Sequence, residues 1–95
     1  MSVSRASIAT TDGSRLIKRL LTHWGHRFEV RFDAATGHVS FDADTRAEFH
    51  AGAEALTVRI DASDRARLER MQEVVAEHLQ RMARGETLQI DWHTP

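Results

Sequence analysis

The 95-residue chain contains no cysteine. That removes disulfides, thiolate metal sites and thiol nucleophiles together, and nothing else points to an oxidising compartment. No stretch approaches the roughly 20 apolar residues of a membrane span. The N-terminal stretch from Met1 to Thr10 mixes Ser2, Ser4 and Arg5 with isolated apolar residues, without the continuous apolar centre of a signal peptide. A cytoplasmic chain with no membrane partner is the expectation. An excess of positive charge is missing too. Thirteen basic residues stand against 14 acidic ones, a net charge of −1, so the overall basic footprint of phosphate-backbone binding is absent and no nucleic-acid partner is expected.

Catalytic signatures are also lacking. The sequence has no Gly-x-Ser-x-Gly elbow, no phosphate-binding Walker loop, no Gly-x-Gly-x-x-Gly and no His-Glu-x-x-His helix. Asp42 with Asp44, and Asp61 with Asp64, are close in sequence, but no apolar surroundings would split their pKa values for acid–base work. Turn and cap roles explain them better.

What remains is ordinary globular composition, 41% hydrophobic and 28% charged, in a length suited to one domain over residues 1–95. Ala6 and Ile8 alternate in a first edge strand over Ser4 to Ala9. Leu16, Ile17, Leu20, Leu21 and Trp24 recur at helical spacing, with Asp12 as the expected N-cap and Gly25 as a left-handed stop. Phe28, Val30 and Phe32 then alternate with Arg27, Glu29 and Arg31, and Val39 and Phe41 continue the period beyond a turn at Ala34 to Gly37. This reads as a hairpin closed through Gly37. Ala47 and Phe49 supply a third member, and Leu56, Val58 and Ile60 a fourth. A long second helix, capped by Ser63 or Asp61 and ending before Gly85, carries Leu68, Met71, Val75, Leu79 and Met82 along one face. Its exposed side offers the pairs Arg65–Glu69, Arg70–Glu73 and Glu77–Arg81. Leu88, Ile90 and Trp92 alternate in a last strand, and the only proline, Pro95, closes the chain.

The expected fold is therefore α+β, a two-layer sandwich with a mainly antiparallel sheet and two helices packed on one face, in the order β-α-β-β-β-β-α-β. The arrangement resembles that of the TATA-binding-protein-like folds, although element order does not fix strand neighbours. The opposite sheet face would display Arg31, Arg46 and Arg59 beside Glu29, Asp42, Glu48 and Asp91, with Ser40, Thr57 and Gln89 between them. These charges nearly cancel and no aromatic residue joins them, which describes a solvated face before it describes a polar ligand or partner surface. Open sheet edges also allow a homodimer.

Six histidines, at positions 23, 26, 38, 50, 78 and 93, are the most distinctive compositional feature. His23, Trp24 and His26 gather at the end of the first helix, and convergence with His78 would offer a ligand site, or a metal site formed by His23, His26 and His78. The plainer reading gives His23 to the helix C-terminus and its dipole, His78 to a hydrogen-bonded place beside the apolar stripe, His38 and His50 to the polar sheet face, and His93 to a mobile tail. Trp24 and Trp92 both continue apolar stripes and read first as core.

The segment Leu21-Thr22-His23-Trp24-Gly25-His26, with Val74-Val75-Ala76-Glu77-His78-Leu79 and Leu88-Gln89-Ile90-Asp91-Trp92, resembles the uncharacterised bacterial family catalogued as domain of unknown function 2218. The resemblance implies a bacterial source. Related domains stand near or joined to siderophore-interacting, flavin-dependent ferric reductases, which implies a link to iron handling and such a reductase as a partner. It carries over no catalytic residue. Two readings follow: a non-enzymatic binding or accessory domain without a resident cofactor, and an iron- or siderophore-utilisation domain binding metal or a ferric siderophore through the histidine cluster.

Overall fold

Period-two and period-3.6 patterning place the elements of the computed structural model, which describes residues 1–94. Pro95 lies outside the described residues. In chain order the elements are β1 (Ser2–Ala9), α1 (Gly13–Trp24), β2 (Glu29–Phe32), β3 (Thr36–Asp42), β4 (Thr45–Ala51), β5 (Ala55–Ala62) and α2 (Arg65–Met82). The strands form one antiparallel sheet in the order β1-β5-β4-β3-β2. Consecutive strands β2 to β5 are hydrogen-bonded neighbours, and β1 closes against β5. The α+β class and the antiparallel sheet are as expected.

Both helices cover one face of the sheet. Leu16, Ile17, Leu20, Leu21 and Trp24 of α1 and Leu68, Met71, Val75 and Leu79 of α2 are buried. They join Ile8, Val39, Phe49, Leu56, Val58 and Ile60 from the sheet in one hydrophobic cluster. The alternating positions of β1, β4 and β5 give each strand one buried face, as the pleat requires.

Several expectations require correction. The segment from Leu88 to Trp92 is not a strand. Leu88 is buried and Ile90 and Trp92 pack against the core, but their backbone does not join the ladder. The Leu88 N–H donates instead to Gln80 Oε1 (2.9 Å), and the tail meets the sheet at one bridge. There the Arg5 N–H donates to the His93 carbonyl at 2.9 Å and the His93 N–H to the Arg5 carbonyl at 2.8 Å, so His93 is tied to the β1 edge. Asp91 and Gln89 therefore leave the outer sheet face, and Arg5 and Ser7 join it.

Helix ends differ as well. Asp12 does not cap α1 with its side chain; its N–H donates to Thr10 Oγ1 at 3.0 Å. Gly25 is right-handed, with φ −61° and ψ −15°, because the chain winds on through further turns in which the Phe28 N–H reaches the Trp24 carbonyl at 2.8 Å. The cap of α2 is Asp64, whose Oδ1 accepts from the Arg67 N–H at 2.8 Å. Asp61 belongs to β5 and pairs with Arg59 Nε at 3.1 Å.

Gly37 is not in the turn. It lies inside β3, opposite Phe32 and Phe49. A Cβ there would fall 2.6 Å from Leu21 Cδ2 and 3.1 Å from Ile17 Cγ2, so the glycine admits α1 close to the sheet. Asp33 closes the turn instead, its Oδ1 accepting from the N–H groups of Ala35 and Thr36 and from the Thr36 hydroxyl. Phe28 lies outside β2, and Phe32 is 40% exposed rather than core.

Candidate functional site

The end of α1, the turn after it, the β3 bulge and the first four turns of α2 surround one groove. From α1 come His23 and Trp24, from the turn His26, Arg27 and Phe28, from β3 Phe41, and from α2 Arg67, Arg70, Met71, Val74 and His78. The α2 residues fall at three- and four-residue spacing on one helical face. Phe41 owes its place to a register shift between Ser40 and Asp42, where an extra residue on one strand is left unpaired and re-aimed. The groove encloses a volume of about 470 Å3, within the size range of small-molecule sites.

Its floor is aromatic. Trp24 is buried and meets Phe41 edge-on with ring centres 5.0 Å apart, and Phe28 meets Phe41 at 5.0 Å in a second edge contact. His78 lies 5.3 Å from Trp24 and 5.9 Å from His23, ring centre to ring centre. A carbonyl can only accept, so the 2.7 Å contact between His78 Nδ1 and the Val74 oxygen places the proton on Nδ1. Neutral His78 therefore keeps its lone pair on Nε2. His23, Trp24, His26 and His78 thus all line one groove. Among the described residues, however, no three histidine or carboxylate side chains are placed to hold a metal ion.

The rim is basic, and among the described residues no carboxylate lines the groove. Arg67 is partly neutralised, its Nη2 lying 3.2 Å from Asp42 Oδ2. The Asp42 carboxyl is held below its ordinary range, first by the Asp44 N–H and then by Thr45 and Arg67, against the opposing effect of burial. Arg27 stacks over Phe28, 5.7 Å from the ring centre. Of the three ion pairs expected along α2, Arg65–Glu69 and Arg81–Glu77 form, whereas Arg70–Glu73 does not. Among the described residues neither Arg27 nor Arg70 is in an ion pair.

The arginines and the two phenylalanines were not among the sequence candidates. A signal exists for Arg27 alone: from Gly13 to Phe28 the chain carries Arg15, Lys18, Arg19 and Arg27 with His23 and His26, and no Asp or Glu at all. A whole-chain charge balance averages this away.

The outer sheet face carries a second concavity of about 480 Å3, bordered by His38, His50 and His93. One cross-strand row runs Arg5, Arg59, Glu48, His38, Arg31. His38 Nδ1 lies 3.8 Å from Glu48, and Arg59 is taken up by Asp61. This is the pattern of mixed cross-strand charge expected of a solvated face.

Residues 5–93 match the model of the uncharacterized protein family conserved in bacteria, domain of unknown function 2218. The chain belongs to that family. It is similar to the NMR structure of PA4090 from Pseudomonas aeruginosa, with 38% identity and a TM-score of 0.82 over 98% of this chain and 96% of that one. No curated protein matches the chain. No helix of the described residues is long and apolar enough to cross a membrane.

Proposed function

We propose that this family member is a non-enzymatic binding or accessory domain whose ligand is an organic anion with a flat apolar body, held in the groove at the end of α1. One observation carries the reading: a basic rim, with Arg27 and Arg70 outside any ion pair among the described residues, stands over the aromatic floor of Trp24, Phe28 and Phe41. Guanidinium groups left without carboxylates beside an apolar floor favour a partner that brings negative charge and a π-face together. His23, His26 and His78 add donors or acceptors according to protonation.

The test is a fluorescence titration with 1-anilinonaphthalene-8-sulfonate, a flat aromatic sulfonate. The folded chain should bind one dye saturably, with energy transfer from a tryptophan. Arg70→Glu should weaken binding at least tenfold, while Arg65→Glu, the same charge change on the exposed side of α2, should leave it within twofold. Equal losses in the two variants, or no saturable binding, would sink the proposal. A ferric siderophore of the catecholate type is likewise an anion that carries aromatic rings, so its displacement of the dye tests the iron-related role with the same assay.

A further inference from the structure

A second groove, of about 600 Å3, opens on the other side of His23, which lines both. Arg15, Lys18, Arg19 and Arg84 border it, and again no carboxylate does among the described residues. Arg15, Lys18 and Arg19 sit at i, i+3 and i+4 on α1, where like charges repel. α2 relieves such repulsion with Arg65–Glu69 and Arg81–Glu77, but α1 has no acidic residue in its length. Arg15 reaches only Asp12, just before the helix, at 3.8 Å and with both side chains largely in solvent. Arg19 is braced, its Nη1 donating to the Met82 carbonyl at 3.0 Å, which fixes its fork between the two helices and leaves its remaining donors available.

We infer that the two grooves form one extended site whose ligand is a nucleoside phosphate: a planar heteroaromatic base over the aromatic floor, and a phosphate chain passing His23 into the second groove. This rests on the proposed reading of the first groove and specifies the anion. Four cationic side chains bordering one groove exceed what a single carboxylate can use, since its two oxygens satisfy one guanidinium fork. A phosphate chain offers more charge and more oxygens, suiting three guanidinium groups and one ammonium. Joining the two halves in one molecule makes the second contact intramolecular, so the whole should bind more tightly than either part.

Calorimetric titration of the full chain with adenosine, inorganic tripolyphosphate and adenosine triphosphate, in magnesium-free buffer, tests this. The triphosphate nucleotide should bind at least tenfold more tightly than either half. The double variant Lys18→Glu, Arg84→Glu should abolish that advantage while leaving anilinonaphthalene sulfonate binding in the first groove within about twofold at a salt concentration that screens long-range charge, which also shows that the variant is folded. Nucleotide affinity no greater than that of tripolyphosphate, or an advantage that survives the charge reversal, overturns the inference. Dye binding dependent on Arg70 would in that event still stand, so failure of the nucleotide does not pass for failure of the first groove.

Discussion

At the scale of single residues, the closest constraint is the approach of α1 to β3 at Gly37. An alanine methyl there meets Leu21 Cδ2 at 2.6 Å, and Leu21 and Ile17 are both fully buried, so neither can swing into solvent. Overpacking of this kind costs about 1–3 kcal/mol. Gly37→Ala should lower the free energy of unfolding by that amount in urea denaturation; an unchanged midpoint would mean that the helix shifts freely. The sequence places Gly37 in a turn because glycine there is first read as conformational freedom. The actual cause, a missing side chain beneath a helix, cannot be seen until the helix is docked. Trp24 was legible as core, and it remains core while also walling the groove.

Among elements, the helices and the middle strands follow their periodicity, because burial on one face is what a period records. Periodicity fails at the tail for the same reason. Leu88, Ile90 and Trp92 alternate and bury, yet alternation reports which side chains face inward and not whether the backbone pairs. The cap of α2 is Asp64 and not its neighbours Asp61 or Ser63, because several oxygens near the helix start are chemically suitable and geometry selects one. The β2–β3 hairpin supplies a pH prediction. The N–H groups of Ala35 and Thr36 hold the Asp33 carboxyl below its ordinary range, which lies near about 3.9 in an unfolded chain. A depressed folded pKa means that Asp33 stabilises the fold fully above the unfolded value, and that this contribution is lost as pH falls through the folded value. Asp33→Asn should therefore flatten the acid side of the stability–pH profile, measured by urea denaturation from neutral pH downward. Parallel profiles for the two proteins would show that the turn does not depend on the charge.

Over the whole molecule, charge is segregated although its sum is almost zero. The stretch from Gly13 to Phe28 has four basic residues and no acidic one, whereas Asp33 to Asp64 holds seven acidic residues and two arginines. The histidine cluster was legible because rare residues recur near one helix end. The arginine rim was not, because Arg67 and Arg70 sit in a helix whose charges look mutually compensated until Arg70–Glu73 proves unpaired. If long-range attraction from this basic side contributes to capture, salt must oppose it. The Debye length shrinks from about 30 Å at 0.01 M to about 3 Å at 1 M, so the dye affinity of the wild type should fall over that range more steeply than that of Arg70→Glu. Identical salt slopes would assign binding to the aromatic floor alone.

The tail that crosses the β1 edge at Arg5 also decides how far copies of this sheet can grow. With the bridge to His93 holding one position of the β1 border, the border free of any such bridge is the four-residue β2. Pairing through a single border is self-complementary and consumes it in both molecules. Strand addition through β2 alone would then end at two copies, and growth into a fibre would first have to release the tail from Arg5.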